Sequence, residues 1–376
     1  MDNILYIGKY CLAENFQTAG GKRVINQAKY LEKNADLLIL TFSSKKSNLN
    51  NTKNFKVSDK KGLFYLLRLP YYWLTIIFIL YKRKKWKSKN FLILESVVEL
   101  NTFLPVIVAL FLGYKIVHDV VEDFFVANEI TKKQKINFII SKLFFKNINK
   151  YCDGIIVISN RLFDKCISSS FPVIKIYNSV NQFERNIYIN SKPGNFYFFY
   201  SGTFGEKDGV IDLIKAFNIV YQIKNNIKLQ LVGKGSGLYY NECMNQIKKN
   251  KNINYLGYLS ENKMFDILAK SNVLCITRTN SEFANNGFPF KIAEYLSSGI
   301  PVLSTSASDI PYLLNDKKDV YLAEPGNVES IANKMIYIID NYKEAITVGK
   351  QGKIFCENKF SINYIGEQLY QFLKKL

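Results

Sequence analysis

The clearest chemical pattern lies in residues 285–304. A turn at 287–289 leads into a helical stretch that Gly299 ends, and an apolar, strand-like run follows. The first N–H groups of a helix lack intrahelical partners, so a helix start of this kind can bind an anion. Glu294 lies just over one turn further in, where its carboxylate can accept hydrogen bonds from a diol such as the 2′- and 3′-hydroxyls of ribose. The alternative is a surface glutamate that only favours helix.

Further glycine-rich turns follow other strand-like runs. Gly20 and Gly21 precede a helical stretch in the first half, and residues 200–209 and 231–237 form two such turns in the second half. Glycine allows a ligand to come close to the backbone. The spacing is neither that of a P-loop nor that of a dinucleotide fingerprint, because no GxxxxGK[ST] is present and no acid follows at the ribose spacing. Glycines that simply end loops remain the alternative.

The whole chain alternates short apolar runs with longer helical stretches. Its 376 residues suggest two or three domains, and 48% apolar with 22% charged residues exclude a disordered protein. Alternation of this kind predicts an α/β fold with parallel sheets and crossover helices. The polar residues 178–194 are predicted to link two halves. The predicted strands are 3–6, 35–41, 91–94, 115–117, 154–158, 173–176, 195–200, 228–232, 254–256, 273–276, 301–304 and 320–322.

The charge is concentrated in the first half. The net charge is +20, and residues 1–190 carry 29 basic against 14 acidic residues, a net charge of +15. This predicts an anionic partner, namely a phosphorylated substrate, an acidic membrane or a nucleic acid. No nucleic acid is expected, because no helix-turn-helix, zinc-finger or RNP pattern accompanies the charge. The six cysteines form no CxxC pair, which predicts reduced thiols in a cytoplasmic protein and no metal site.

Residues from Tyr71 to Lys89 form an aromatic, apolar stretch followed by a basic cluster. The pattern is typical of a segment in a membrane interface, and the basic, aromatic residues 132–150 add to it. A buried core helix followed by a solvated basic turn is the alternative. The longest apolar run, 69–81, is shorter than the ~20 residues that span a bilayer, and no basic leader begins the sequence. We therefore expect a soluble or peripheral protein.

Residues 285–304 resemble the donor-binding signature of family-four retaining glycosyltransferases of the GT-B fold, in which Glu-x7-Glu precedes a small-residue turn and Pro-Val. Residues 20–21, 117–119, 177–181 and 202–209 resemble further parts of that family. The resemblance implies two Rossmann-like domains with parallel sheets facing across a cleft. It implies an acceptor-binding domain at 1–185, a nucleotide-sugar-binding domain at 186–355, and a C-terminal helix in 356–376 that returns to the first domain.

The resemblance also assigns roles to residues. Glu294 would bind the ribose diol, His118 would hydrogen-bond the donor sugar at the reaction centre, and Asn286 would contact that sugar; these three are the expected catalytic residues. The expected donor-binding residues are Gly20, Gly21, Gly202, Thr203, Lys207, Gly233, Gly257, Tyr258, Gly287, Phe288, Pro289, Lys291 and Glu294.

Three positions depart from the family pattern. Asn286 stands where the first glutamate of the signature is expected, eight residues before Glu294. Thr203 and Asp208 stand where the family has the arginine and lysine that hold the diphosphate. The candidates for compensating the diphosphate charge are therefore Lys207, then Lys291, then the helix N-termini.

The implied activity is transfer of a hexosyl or N-acetylhexosaminyl group from a nucleotide sugar with retention of the anomeric configuration. A UDP-sugar is the first candidate for the donor. No cofactor and no metal are expected, since the sequence has no Asp-x-Asp triplet. The expected acceptor is a lipid-linked saccharide at the inner face of the cytoplasmic membrane, in the synthesis of capsule, lipopolysaccharide or O-antigen. Two alternatives remain open: a sugar-nucleotide epimerase of the same fold, and a non-catalytic sugar-nucleotide-binding protein.

Overall fold

The computed structural model describes residues 1–8, 12, 19–43, 51–55, 63–95, 101–121, 152–167, 171–181 and 195–376. The predicted helix at 132–150 lies outside these residues. The chain divides into two compact units, Met1–Ser179 with Ile362–Leu376, and Val180–Ser361. The boundaries expected after residues 185 and 355 differ from these by a few residues. Residues 356–359 still belong to a helix of the second unit.

The first unit is built on a parallel sheet. Its strands are β1 (Asn3–Gly8), β2 (Asp36–Phe42), β3 (Thr52–Phe55), β4 (Asn90–Glu95), β5 (Lys115–Val120), β6 (Gly154–Val157) and β7 (Val173–Lys175). In the described residues the strand order is β3-β2-β1-β4-β5-β6-β7, so the order reverses beside β1. Its helices before the second unit are α1 (Ala19–Asn34), α2 (Leu63–Arg83), α3 (Phe103–Phe111) and α4 (Asn160–Cys166).

The second unit repeats this architecture. Its strands are β8 (Phe196–Thr203), β9 (Ile227–Lys234), β10 (Ile253–Tyr255), β11 (Val273–Ile276), β12 (Val302–Thr305) and β13 (Tyr321–Ala323), in the order β10-β9-β8-β11-β12-β13. Its helices are α5 (Val210–Ile223), α6 (Gly237–Lys248), α7 (Glu261–Leu268), α8 (Glu282–Asn286), α9 (Phe290–Ser298), α10 (Ile310–Leu313), α11 (Val328–Asp340) and α12 (Tyr342–Lys359).

The strands are continuous apolar runs because helices cover both faces of a parallel sheet. All four residues of β11 are buried, for example, and so are all six of β1. In a parallel sheet every strand ends at the same edge, and ligands of such folds bind where the strand order reverses. In the second unit that point lies between β8 and β11. The predicted α/β fold with two Rossmann-like domains is confirmed.

The chain ends in α13 (Ile362–Lys375), which packs against α1 within the first unit. Gly366 permits the contact, because a Cβ atom at that position would lie 2.3 Å from Cγ of Tyr30. The Tyr30 hydroxyl donates to Glu367, and the Tyr370 hydroxyl donates to the Asn34 carbonyl at 3.1 Å. The C-terminal helix therefore completes the core of the unit that the N-terminal residues begin.

Candidate functional site

Two glycines leave the backbone bare at the end of the central strands of the second unit. Gly202 of β8 and Gly233 of β9 are direct neighbours in the sheet. A Cβ atom on Gly233 would lie 1.8 Å from the Gly202 carbonyl oxygen, and one on Gly202 would lie 2.0 Å from Nζ of Lys291. A side chain is therefore excluded at Gly233, and one at Gly202 would displace the Lys291 ammonium that occupies the space beside it.

A tight turn joins β8 to α5. Gly209 has φ 62° and caps α5, and a Cβ atom there would lie 1.8 Å from the Thr277 carbonyl oxygen. The Thr277 hydroxyl donates to the Gly209 carbonyl at 3.0 Å. The start of α5 is thereby held against the loop that follows β11, as expected for neighbouring strands whose loops share one edge.

Lys291 lies among polar groups from β8 and the following turn. Its ammonium donates to the Tyr200 hydroxyl at 3.3 Å and lies 3.8 Å from Oδ1 of Asp208. The Thr203 hydroxyl donates to Oδ2 of Asp208 at 2.5 Å, and the Tyr200 hydroxyl donates to the Thr203 carbonyl. Burial lowers the pKa of Lys291 below its ordinary value, and the Asp208 carboxylate opposes that shift. This cluster brings one ammonium and one carboxylate together beside the end of β8.

Two other basic side chains lie near this cluster. Nζ of Lys207 lies 4.5 Å from the centroid of the Phe283 ring. The buried Arg278, two residues after β11, donates through Nε to the Ala284 carbonyl at 2.8 Å, and its charge helps to lower the pKa of Lys291. Sequence reasoning missed Arg278, although a polar residue directly after a buried strand was the available signal.

The turn before α9 is held by its neighbours. The Ser308 hydroxyl donates to the Gly287 carbonyl at 2.6 Å, and the Phe288 ring packs against Phe360 with ring centroids 5.9 Å apart. Pro289 is the N-cap residue of α9. The Phe288 ring is therefore part of the core, and the predicted anion contact would fall to the backbone amides of Gly287 and Phe288, since Pro289 has no N–H.

Glu294 is half-buried on α9, one turn after Lys291. The next residue, Tyr295, is buried and accepts a hydrogen bond from the Ser201 amide of β8 at 2.9 Å. Gly299, with φ 77°, ends the helix. The Tyr295 contact fixes the rotation of α9, so Glu294 and Lys291 keep their orientation relative to the end of β8.

Asn286 and His118 are buried, with 0% and 1% of their surface exposed. Asn286 ends α8 in the second unit, and His118 lies in β5 of the first. Their contact with a sugar stays a prediction, as do the other residue roles.

A further pair of loops lies beside β9. The Gly233 amide donates to the Gly257 carbonyl at 2.8 Å, and the Tyr255 hydroxyl donates to the Gly233 carbonyl at 2.9 Å. Tyr258 is exposed, and Nζ of Lys234 lies 5.1 Å from its ring centroid. An exposed aromatic ring beside a bare backbone can stack on a planar base, which is compatible with the donor-binding role predicted for Gly257 and Tyr258.

In the first unit, Gly20 and Gly21 lie in the first turn of α1. Beyond that turn, the buried Arg23 pairs with Asp119 of β5 at 2.9 Å, and the Tyr6 hydroxyl donates to the same carboxylate at 2.5 Å. Arg23 also donates to the Ile176 and Tyr177 carbonyls. Sequence reasoning missed this network, because no local pattern joins its members.

Comparison with known proteins gives a consistent result. Residues 182–355 match the family described as glycosyl transferases group 1. The chain is 30% identical over 228 residues to an uncharacterised glycosyltransferase of Methanocaldococcus jannaschii, covering 60% of each protein. It is 25% identical over 246 residues to the capsular polysaccharide biosynthesis glycosyltransferase CapM of Staphylococcus aureus, covering 60% of this chain and 62% of that protein. The match thus spans about three fifths of the length of both relatives.

A solved structure, Anabaena HepE in complex with UDP and glucose, matches with a TM-score of 0.72 and 16% identity, covering 100% of both chains. The fold is GT-B. The family match and the two relatives agree with the resemblance seen in the sequence.

In the first GT-B domain, α2 has apolar residues on two faces. Leu69, Tyr72 and Ile76 are buried, and the Tyr72 ring packs against Phe42. A second row is more than half exposed at alternating spacings of four and three residues; it consists of Leu67, Tyr71, Leu74, Phe78 and Tyr81. We call this row the α2 stripe. One face of the helix is therefore core, and the other is exposed; contact of the exposed face with a membrane stays a prediction.

The basic cluster in the last turn of α2 and just after it is divided. Arg83 and Lys85 pair with Asp36 at 2.6 and 2.7 Å. Lys82 and Lys87 are exposed, and the Trp86 ring between them is 85% exposed. Part of the cluster therefore serves the fold, and part faces solvent beside the α2 stripe.

Among the described residues, none of the helices combines the length and the apolar character that a membrane span requires. In the same part of the chain, no group of three or more His, Cys, Asp or Glu side chains could hold a metal ion.

Proposed function

We propose that this protein is a family-four retaining glycosyltransferase. It would transfer a hexosyl or N-acetylhexosaminyl group from a UDP-sugar to a lipid-linked saccharide in the synthesis of a cell-surface polysaccharide. The family match at residues 182–355 supports the transfer of a sugar, and the name of the CapM relative supports the pathway. The UDP and glucose in the HepE complex support the choice of donor.

The proposal depends most on the groups that lie close together at the start of α9. Lys291 reaches the bare backbone of Gly202, and Glu294 lies one turn further along the same helix. A diphosphate needs a cation and backbone amides at a helix start, and a ribose needs a hydrogen-bond acceptor nearby. The position of Lys291 and Glu294 on one helix of the second domain supports binding of a nucleoside diphosphate there.

The proposed chemistry is departure of the nucleoside diphosphate with attack by the acceptor on the same face of the sugar. Charge develops on the departing phosphate, so the Lys291 ammonium and the start of α9 would stabilise it electrostatically. Glu294 would hold the ribose, and His118 would donate a hydrogen bond to the donor sugar. We propose that no divalent metal takes part, since the sequence has no Asp-x-Asp triplet.

The function can be tested with UDP-, GDP- and ADP-sugars and a polyprenyl-diphosphate-linked saccharide in the presence and absence of EDTA. We expect release of nucleoside diphosphate together with a glycosylated lipid of unchanged anomeric configuration, at the same initial rate with EDTA. Conversion of the donor into another sugar nucleotide without acceptor would identify an epimerase instead. Binding of a donor without turnover in any acceptor screen would identify a binding protein, and a strict Mg²⁺ or Mn²⁺ requirement would contradict the metal-independent reaction.

We further propose that the α2 stripe and its lysines place the enzyme on the anionic inner face of the cytoplasmic membrane. The exposed aromatic rings would lie at the depth of the lipid headgroups. Lys82, Lys84 and Lys87 adjoin them, and each would add about 1 kcal/mol on an anionic surface. This charge complementarity favours a membrane over a second protein copy as the partner of the stripe.

Vesicle flotation tests the membrane proposal. Wild-type protein should float with vesicles that contain phosphatidylglycerol, and less so at high salt or with phosphatidylcholine alone. Replacing Lys82, Lys84 and Lys87 by serine should weaken binding on the order of 100-fold, as three charges of about 1 kcal/mol each imply. Replacing Leu74, Phe78 and Tyr81 by serine should also release the protein.

The matched control replaces Lys248, Lys249 and Lys251, three exposed lysines of the second domain, by serine. The net charge then changes equally, but binding should stay near the wild-type value. Equal loss in this control would mean that net charge alone drives the association. If the stripe variant instead converts a dimer into a monomer without changing flotation, the stripe is a protein interface and the proposal is wrong.

A further inference from the structure

The ammonium of Lys291 lies beside Gly202, near the end of β8. Lys291 is in the first turn of α9, and Nζ would lie 2.0 Å from a Cβ atom on Gly202. Any other residue at position 202 would displace it. Glycine at this position therefore allows a cation from α9 to reach the backbone that precedes the turn.

The contacts of this ammonium are weak for a buried cation. The Lys291 side chain is 20% exposed, yet its ion pair with Asp208 spans 3.8 Å and its hydrogen bond to the Tyr200 hydroxyl is 3.3 Å. The ammonium also lies 4.5 Å from the centroid of the Tyr200 ring. Charge-assisted hydrogen bonds are ordinarily about 2.7–2.9 Å long. An anion at that shorter distance would therefore interact with the Lys291 ammonium more strongly than Asp208 or Tyr200 does.

The carboxylate of Asp208 is held from its other side. Its Oδ2 accepts the Thr203 hydroxyl at 2.5 Å, while Oδ1 faces Lys291. Thr203 and Asp208 both occupy positions where the resemblance implies basic side chains that hold the diphosphate. The chain thus has a carboxylate and a hydroxyl in place of two cations, and one cation that enters from a different helix.

The other nearby basic groups contact protein atoms. Lys207, first in order among the sequence candidates, has its ammonium over the Phe283 ring, and Arg278 donates to the Ala284 carbonyl. Lys291 differs from both because it lies against Gly202 and begins the same helix that carries Glu294.

We propose that Lys291 is the cation that neutralises the diphosphate in this protein, and that Asp208 is a competing anion that holds Lys291 when no donor is bound. The proposal rests on the proposed function and deepens it by naming the charge that replaces the missing pair. Binding of the diphosphate would transfer Lys291 from a long ion pair to a short one. Asp208, fixed by Thr203, would remain behind and weaken binding by repulsion.

Calorimetric titration with UDP, GDP and ADP, followed by the matching nucleoside and nucleoside monophosphate, tests this assignment. Lys291→Met should weaken binding of the tightest diphosphate about 10- to 100-fold, the effect of losing a hydrogen bond to a charged group, while binding of the nucleoside changes less than about threefold. Asp208→Asn should strengthen diphosphate binding about 3- to 10-fold, because it removes the like charge but keeps the shape of the side chain.

The double variant Lys291→Met, Asp208→Asn adds a readout that a merely structural role would not move. If the two residues act on each other, the gain from Asp208→Asn should shrink in the absence of Lys291. Lys248→Met, at an exposed lysine of α6, is the matched control and should bind like wild type. A larger loss from Lys207→Met than from Lys291→Met would overturn the assignment, and so would equal weakening of nucleoside and diphosphate.

These results separate the two proposals. If wild-type protein binds none of the three diphosphates, the proposed function fails and this inference fails with it. If wild type binds a diphosphate and Lys291→Met binds it equally well, only the inference fails. Should Lys291→Met fold poorly, Asp208→Asn alone decides, since weaker or unchanged diphosphate binding in that variant contradicts the competing-anion role.

Discussion

Replacing Glu294 by alanine is expected to lower kcat/KM for the sugar donor by about 30- to 1000-fold. The half-buried carboxylate lies one turn into α9, and Tyr295 fixes the rotation of that helix through Ser201. A ribose hydroxyl that loses a charged acceptor loses about 2–4 kcal/mol, and each 1.4 kcal/mol is a factor of ten. Steady-state kinetics should show a raised KM for the donor and an unchanged KM for the acceptor.

Two variants control this result. Glu294→Gln keeps a neutral acceptor and should fall between wild type and the alanine variant. Glu242→Ala removes an exposed glutamate of α6 in the same domain and should leave kcat/KM unchanged. An unchanged donor KM in Glu294→Ala would remove Glu294 from the site. A lower melting temperature with normal kinetics would mean that the side chain only supports the helix.

The fold was predictable because its signals are local. All twelve predicted strands overlap observed ones, since buried parallel strands are apolar runs that can be read one at a time. Within the described ranges the sequence missed β3, which reads Thr-Lys-Asn-Phe and has no such run. The end of the chain was foreseen only in part, because the boundary between α12 and α13 falls at Phe360 and Ser361, where no proline or glycine marks the end of a helix.

The sequence predicted the turns of the candidate site, but it could not predict which side chains contact each other there. Glycines at 202 and 233 are visible in the sequence, yet only the structure shows that the Lys291 ammonium fills the space beside Gly202. The resemblance placed Asp208 where a lysine was expected. It could not show which cation compensates the charge of the diphosphate instead. Contacts of this kind depend on how α9 is rotated over β8, which Tyr295 and Ser201 decide across 94 residues of sequence.

The buried pair of Arg23 and Asp119 is a further case, since its members are 96 residues apart. Their side chains are 2% and 0% exposed, and the Tyr6 hydroxyl donates to the same carboxylate. Arg23 also holds the carbonyls of Ile176 and Tyr177, shortly before the chain leaves the first domain at Ser179. The pair therefore joins α1, the end of β5 and the last residues of that domain.

Asp119→Ala is expected to destabilise the first domain by about 3–5 kcal/mol, because the guanidinium of Arg23 would remain buried without its partner. Urea unfolding followed by tryptophan fluorescence measures this directly, since both tryptophans, Trp73 and Trp86, lie in that domain. The midpoint should fall with little change in slope.

The double variant Arg23→Met, Asp119→Leu separates the cost of a stranded charge from the value of the pair. It leaves no buried ion, so it should be less destabilised than Asp119→Ala alone, although Tyr6 and the two carbonyls lose their partner. If the double variant loses as much free energy of unfolding as Arg23→Met and Asp119→Leu lose together, the residues act independently and the contact is incidental. Because β5 also carries His118, recovery of stability in the double variant without recovery of turnover would mean that the pair orients the strand end for catalysis as well as holding the fold.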